Sequence, residues 1–274
     1  MPSRIAKTFA DLRAQDRLAF MPFITAGDPD LKSTQQAIRT LAAAEVDLIE
    51  IGFPYSDPIA DGPVIQASYA RALSRQVKVA EIFAAIGELE HESLPPLVAM
   101  VSYAIIYRHG VEQFLQHAAE AGFCGLIVPD LPGAEAGELF TAARAAGLDL
   151  IQLIAPTTPR PRVKQILNAG SGFVYIVAVA GTTGERQNVS TAVVEQLEWL
   201  REETELPLAV GFGISRPEHV DPLRGRAQGV IVGTAMVRYL ERLNENPAES
   251  SAILQELRDF ASQMTLAAHN SSDS

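Results

Sequence analysis

LIEIGFPYSDPIADGPVIQ, Leu48 to Gln66, opens with an apolar run, Leu48 to Phe53, that carries one carboxylate, Glu50. A loop rich in Pro, Gly and Asp follows, and Asp61 comes eleven residues after Glu50. Near-continuous apolar strands belong to parallel sheets buried on both faces. Alternation puts Leu48, Glu50 and Gly52 on one side and Ile49 and Ile51 on the other. If the isoleucines meet helices, Glu50 points into whatever the strands enclose. A buried carboxylate must be paired, protonated or employed in chemistry.

Outward from this strand, the same unit recurs. Apolar runs lie near 18–24, 97–103, 124–129, 148–154, 173–180, 207–212 and 228–233. Helical patterns alternate with them near 31–44, 78–92, 111–121, 134–146, 160–169, 190–203 and 215–226. Eight strands, each followed by helix, predict right-handed βαβ crossovers and a parallel sheet. At 274 residues they fit one closed (β/α)8 barrel, the TIM barrel, better than a doubly wound sheet. TAGDPD (25–30), after the first run, is not the glycine fingerprint of the open alternative. Extra helices are expected at 3–14, before the barrel, and at 249–267, near the carboxyl end. One domain, 1–268, is expected, with a frayed polar tail at 269–274.

Hydrophobic content of 47% with 20% charged residues suits a large core. A net charge of −11 argues against nucleic acid or an anionic membrane as partner. Cys124 is the only cysteine, so neither an intrachain disulfide nor a multi-cysteine metal site can form. MPSRIAKTFADLRAQ reads as a polar amphipathic helix without a signal-peptide core, and no apolar run approaches a membrane span. A cytoplasmic location is the expectation. The five histidines show no metal-ligand spacing, so no metal is expected. No lysine falls at a strand end for Schiff-base chemistry, which leaves acid/base catalysis.

Glu50 and Asp61 are the candidate catalytic pair. Desolvation at the top of a barrel strand raises the proton affinity of Glu50, which suits a general acid/base near neutral pH. An ion pair with an arginine from another strand is the competing reading. Asp61, in a polar loop, is suited to a different charge state and role; helix capping before PVIQASYARAL is its plainer alternative. Asp57 before Pro58 has the plain reading of an Asx-type turn. Glycines close strands 6, 7 and 8 in GTTGE (181–185), GFGIS (211–215) and VGTAM (232–236). Three such loops in this order suit a phosphate cradle, with Gly213 opening a helix at Ile214 or Ser215 and Gly233 and Thr234 opening another. Gly184 could close over the top. Phe23, Tyr103, Tyr175 and Phe212 fall at the same strand ends and could clamp an aromatic group or simply fill core.

With PFITAGDPD (22–30), LIEIGFPYSDPIADGPVIQ, GLIVPDLP (125–132), APTTP (155–159), TTGER (182–186), GFGIS and VGTAMV in family order, the chain resembles the tryptophan synthase α subunit family. The resemblance implies cleavage of indole-3-glycerol phosphate to indole and glyceraldehyde 3-phosphate in tryptophan biosynthesis. It implies Glu50 as general acid/base and Asp61 as the acid holding the indole N–H. Phe23, Tyr103 and Tyr175 match indole-pocket positions; Gly184, Gly213, Gly233 and Thr234 match the phosphate loops. Asp57 and Pro58 match the region that meets a β subunit. That partner carries pyridoxal phosphate in an α2β2 heterotetramer, whereas no cofactor is expected in this chain.

Departures from the family pattern are Ala104 and Ile105 in place of Asn-Pro, Ala178 for Ser, Thr182 for Val or Ile, and Thr234 for Ser. They bear on loop packing and subunit coupling. Three other readings stay open: a lyase acting alone, a silent barrel that only activates a β partner, and another phosphosugar barrel such as an isomerase of the same pathway. The loop 181–189 is expected to order only with ligand.

Overall fold

The computed structural model describes residues 2–58, 61–177, 191–211 and 213–270. Eight parallel strands close a barrel in sequence order: β1 (Ala19–Thr25), β2 (Ile49–Gly52), β3 (Leu97–Met100), β4 (Phe123–Ile127), β5 (Asp149–Ile154), β6 (Val174–Val177), β7 (Leu208–Gly211) and β8 (Gly229–Val232). Closure is made by Ala19–Pro22 of β1 against Gly229–Val232 of β8.

The helices that cover the barrel are α1 (Arg4–Arg13), α2 (Leu31–Ala42), α3 (Pro63–Ser74), α4 (Val79–Gly87), α5 (Tyr103–His109), α6 (Val111–Glu120), α7 (Gly137–Ala145), α8 (Arg160–Asn168), α9 (Thr191–Glu203), α10 (Thr234–Glu245) and α11 (Ser250–His269). Asp30, from the TAGDPD turn, caps α2 by accepting from the Ser33 N–H at 2.7 Å. Among the described residues no helix is long and apolar enough to cross a membrane.

Strand alternation divides the core. Phe20, Ile24, Ile49, Ile51 and Ala99 face the helices in one cluster. Ala19, Met21, Phe23, Leu48, Val98 and Tyr175 face inward in the other. Ile5, Phe9 and Leu12 of α1 join the inward cluster, and Phe9 meets Phe173 at 5.6 Å between ring centroids. The leading helix therefore plugs the amino end of the barrel, and the loops after the strands build a mouth at the carboxyl end. At the other terminus α11 runs two residues past the expected 267. The His269 ring lies 3.0 Å from Asp47, whose carboxylate also accepts from the Phe20 N–H at 2.7 Å.

Two expected helical features differ. The stretch 215–226 is not an α-helix but two 3-10 turns, Pro217–His219 and Asp221–Leu223. Pro217 and Pro222 supply no N–H, and the residue before a proline is driven from the helical region; Arg216 is extended at φ −148°, ψ 154°. Gly213 therefore opens no helix at Ile214 or Ser215. In the other direction, α5 forms where strand 3 was expected to continue to 103. Ile105 donates its N–H to the Ser102 carbonyl at 3.0 Å, a bond that a proline at 105 could not make.

Candidate active site

Glu50 pairs in register with Phe23 on β1 and Val98 on β3, and its side chain points inward as alternation requires. It is 1% exposed, and neither carboxyl oxygen has a hydrogen-bond partner among the described residues. The ion-pair alternative is thus not realised within them. Desolvation alone raises its pKa to about 8. Asp61 ends the loop after β2. It does not cap α3: Gly62 is the N-cap, Pro63 follows at N1, and no side chain satisfies the helix end. The Asp61 carbonyl instead accepts from Gln66 Nε2 at 2.7 Å, and Asp61 lines the cavity at the barrel mouth. Partial burial raises its pKa to about 6. At neutral pH Glu50 keeps its proton and Asp61 is mostly charged.

Both acids line one cavity of about 340 Å³ at the carboxyl end of the barrel, with Phe23, Tyr175, Gly213, Gly233 and Thr234. One wall is apolar and the other is backbone-rich. Gly213 has φ +80°, a conformation that favours glycine, and its Cβ direction is open. Gly233 is the N-cap of α10 with no side-chain capping bond among the described residues, and Gly233 and Thr234 at that helix start line the cavity. The first N–H groups and the positive end of the helix suit an anion.

Tyr103 lies outside this group. It is the first residue of α5, half-buried, with its ring 6.4 Å from Tyr107. Its N–H and the Ser102 hydroxyl donate to Asp130 at 2.8 and 2.6 Å, which ties the loops after β3 and β4 together. Asp57 is exposed and accepts from the Ser56 hydroxyl, and Pro58 is half-buried beside it. Gly184, Phe212, Ala178, Thr182 and the loop 181–189 lie outside the described residues.

Several lining residues were not singled out in the sequence: Ile65, Met100, Pro129, Leu153, Val177 and Ile231. Met100, Leu153, Val177 and Ile231 are inward positions at or near the carboxyl ends of β3, β5, β6 and β8. Alternation applied to every strand, not only to β2, would have found them. Small inward residues make the room. A Cβ added at Gly211 would collide with the Tyr175 ring, 2.5 Å from its Cε1 and Cζ. Gly211→Ala is therefore expected to displace Tyr175 and to cost about 1–3 kcal/mol of stability by overpacking. Thermal unfolding of the variant checks this, and an unchanged midpoint would contradict it.

Comparison with known proteins agrees with this geometry over nearly the whole chain. The family model for the tryptophan synthase alpha chain matches residues 9–269. The tryptophan synthase alpha chain of Rhodopirellula baltica is 47% identical over 247 residues, 89% of each chain. That of a Picosynechococcus species is 44% identical over 253 residues, 92% of this chain and 95% of the relative. Among solved structures, tryptophan synthase subunit alpha from Legionella pneumophila superposes with a TM-score of 0.87 at 32% identity, covering 97% and 98% of the two chains. A chain of the aminoacrylate-bound form of tryptophan synthase from M. tuberculosis does so with 0.84 at 30%, covering 97% and 99%. A barrel whose mouth holds two acids in one cavity beside a helix start, matched by the family model from residue 9 to residue 269, belongs to the tryptophan synthase alpha chain family.

Proposed function

We propose that the cavity at the barrel mouth binds indole-3-glycerol phosphate, with Glu50 and Asp61 as the two groups that carry its cleavage to indole and glyceraldehyde 3-phosphate. The observation that carries the assignment is the pair itself: a fully buried Glu50 with no partner among the described residues, and a half-buried Asp61, facing one cavity. Phe23 and Tyr175 flank the indole ring, while the backbone around Gly213, Gly233 and Thr234 takes the phosphate.

Cleavage needs a proton at C3 of the indole, which turns the ring into an iminium-like cation. Glu50 retains a proton at neutral pH and gives it up there. Asp61, charged at the same pH, accepts the indole N–H and stabilises the positive charge as it develops. The glutamate just formed takes the proton from the hydroxyl on the carbon attached to the ring. That carbon becomes a carbonyl, the C–C bond breaks, and its electron pair restores the aromatic indole. The proton lent by Glu50 is thereby returned, and no cofactor is consumed.

A pyridoxal phosphate-dependent β chain that receives the indole is the proposed partner, in an α2β2 assembly. Asp57 and Pro58 lie beside a groove formed with Tyr55, Leu73, Ile105 and Arg108. Tyr107, 71% exposed on α5, adds apolar surface nearby. Their position next to the β2 loop supports a contact that reports on the acid pair.

Asp61→Asn tests the assignment. An amide cannot balance the indole cation, so kcat is expected to fall by about 100-fold or more while KM changes little. Indole release measured with and without a β chain gives the answer, and wild-type rates in the variant would sink the role given to Asp61.

A further inference from the structure

Tyr69 sits on α3 at helical spacing from Ile65 and Ala72, on the buried face of that helix. Its ring does pack in the inward cluster with Phe23, Ile65 and Tyr175, with its centroid 5.4 Å from that of Tyr55. The hydroxyl is another matter. The residue is 1% exposed, and its oxygen has no hydrogen-bond partner among the described residues. Phenylalanine would fill the same space without stranding a buried polar atom.

The place where the hydroxyl ends suggests its use. A Cβ added at Gly52 would lie 2.8 Å from the Tyr69 oxygen and 2.5 Å from Phe23 Cζ. Gly52 follows Glu50 by two residues on the same inward side of β2. The oxygen therefore lies against Gly52 at the carboxyl end of β2, two residues beyond Glu50, behind the cavity wall and not on it. Burial raises the proton affinity of the phenol well above its usual value, followed by the negative fields of Asp61, Tyr55 and Glu50. Tyr69 thus stays a neutral O–H donor at any pH the reaction uses.

Two carboxyls are in its field, and they are unequal acceptors. Glu50, protonated at neutral pH, is a weak one. Asp61 is mostly charged, and no side chain among the described residues donates to its carboxylate. Hydrogen bonds to charged acceptors are the strong ones.

We propose that Tyr69 is a positioning residue for the cleavage reaction: its hydroxyl donates to the Asp61 carboxylate when bound substrate fixes that side chain, setting its direction toward the indole N–H and favouring its charged form. This rests on the role proposed above for Asp61.

The test is the pH dependence of kcat for indole release from indole-3-glycerol phosphate by the full chain with a β chain present. Wild type, Tyr69→Phe and Asp61→Asn are compared. Losing a donor to the charged form raises a carboxyl's pKa. The acid-side limb of the Tyr69→Phe profile is expected to move up by about 1 pH unit, with KM nearly unchanged. Thermal unfolding of Tyr69→Phe is expected at or above the wild-type midpoint, because no bond in the resting protein is lost. An unmoved limb, or one that moves down, would overturn the proposal. So would a lowered unfolding midpoint with an unmoved limb, the mark of a merely structural hydroxyl. Full activity in Asp61→Asn would sink the underlying role of Asp61, whereas an inactive Asp61→Asn beside an unshifted Tyr69→Phe would sink only the inference about Tyr69.

Discussion

Glu50→Gln is expected to lower kcat for indole release by about 100- to 10,000-fold, the range that a positioned general acid/base contributes. Glutamine fills the same volume at the end of β2, so Phe23, Met100 and Tyr175 keep their places and KM should change little. What is lost is a proton that can be given and taken back. Glu50 faces the cavity without an ion-pair or hydrogen-bond partner among the described residues, so no neighbour there stands ready to replace it. Steady-state kinetics with and without a β chain read the effect. A loss of less than tenfold, or a loss confined to KM, would show that the proton comes from elsewhere.

The same substitution is expected to stabilise the fold, with an effect that grows with pH. A folded pKa of about 8 against an ordinary value of 4.5 means that the folded protein holds a proton that the unfolded chain releases. Below pH 4.5 Glu50 is neutral in both states and adds no penalty. Between 4.5 and 8 stability declines as pH rises, and above 8 the full cost of a buried charge is present. At pH 7 the difference amounts to about 3 kcal/mol. Glutamine carries no charge at any pH and escapes this cost. Denaturant unfolding should show a variant more stable by about 1 kcal/mol at pH 5 and by about 4 kcal/mol at pH 8. Equal stabilities at both would mean that Glu50 is not desolvated as the fold implies. Gain in stability with loss of turnover is the usual sign of a residue kept for chemistry.

What could be read in the sequence followed from periodicity and from one specific loop. Eight apolar runs alternating with helices led to the closed barrel, and LIEIG led to an inward Glu50 because side chains on a regular strand alternate between its two faces. Asp61 was legible as a candidate, but its freedom from capping was not. That depended on Gly62 and Pro63 taking the N-cap and N1 positions themselves. The helix expected at 215–226 failed because apolar spacing there outweighed two prolines in the reading, whereas in the chain the prolines win. Tyr103 was placed at a strand end that stops at Met100, and as the opening residue of α5 it stays outside the cavity lining. Tyr69 was invisible for a different reason. A tyrosine on the apolar side of a helix differs from core phenylalanine only in where its oxygen ends, and that requires β2 and α3 to be assembled.

Cleavage requires the two carboxyls to hold different charges at the same pH, because one must lend a proton while the other balances a cation. Carboxyl 13C titration of the full-length protein, with Glu50→Gln and Asp61→Asn used to assign the two resonances, measures this directly. The predicted result is a midpoint of about 8 for Glu50 and about 6 for Asp61. Two midpoints near the ordinary carboxyl value of about 4 would leave both groups charged at neutral pH and contradict the division of roles between them.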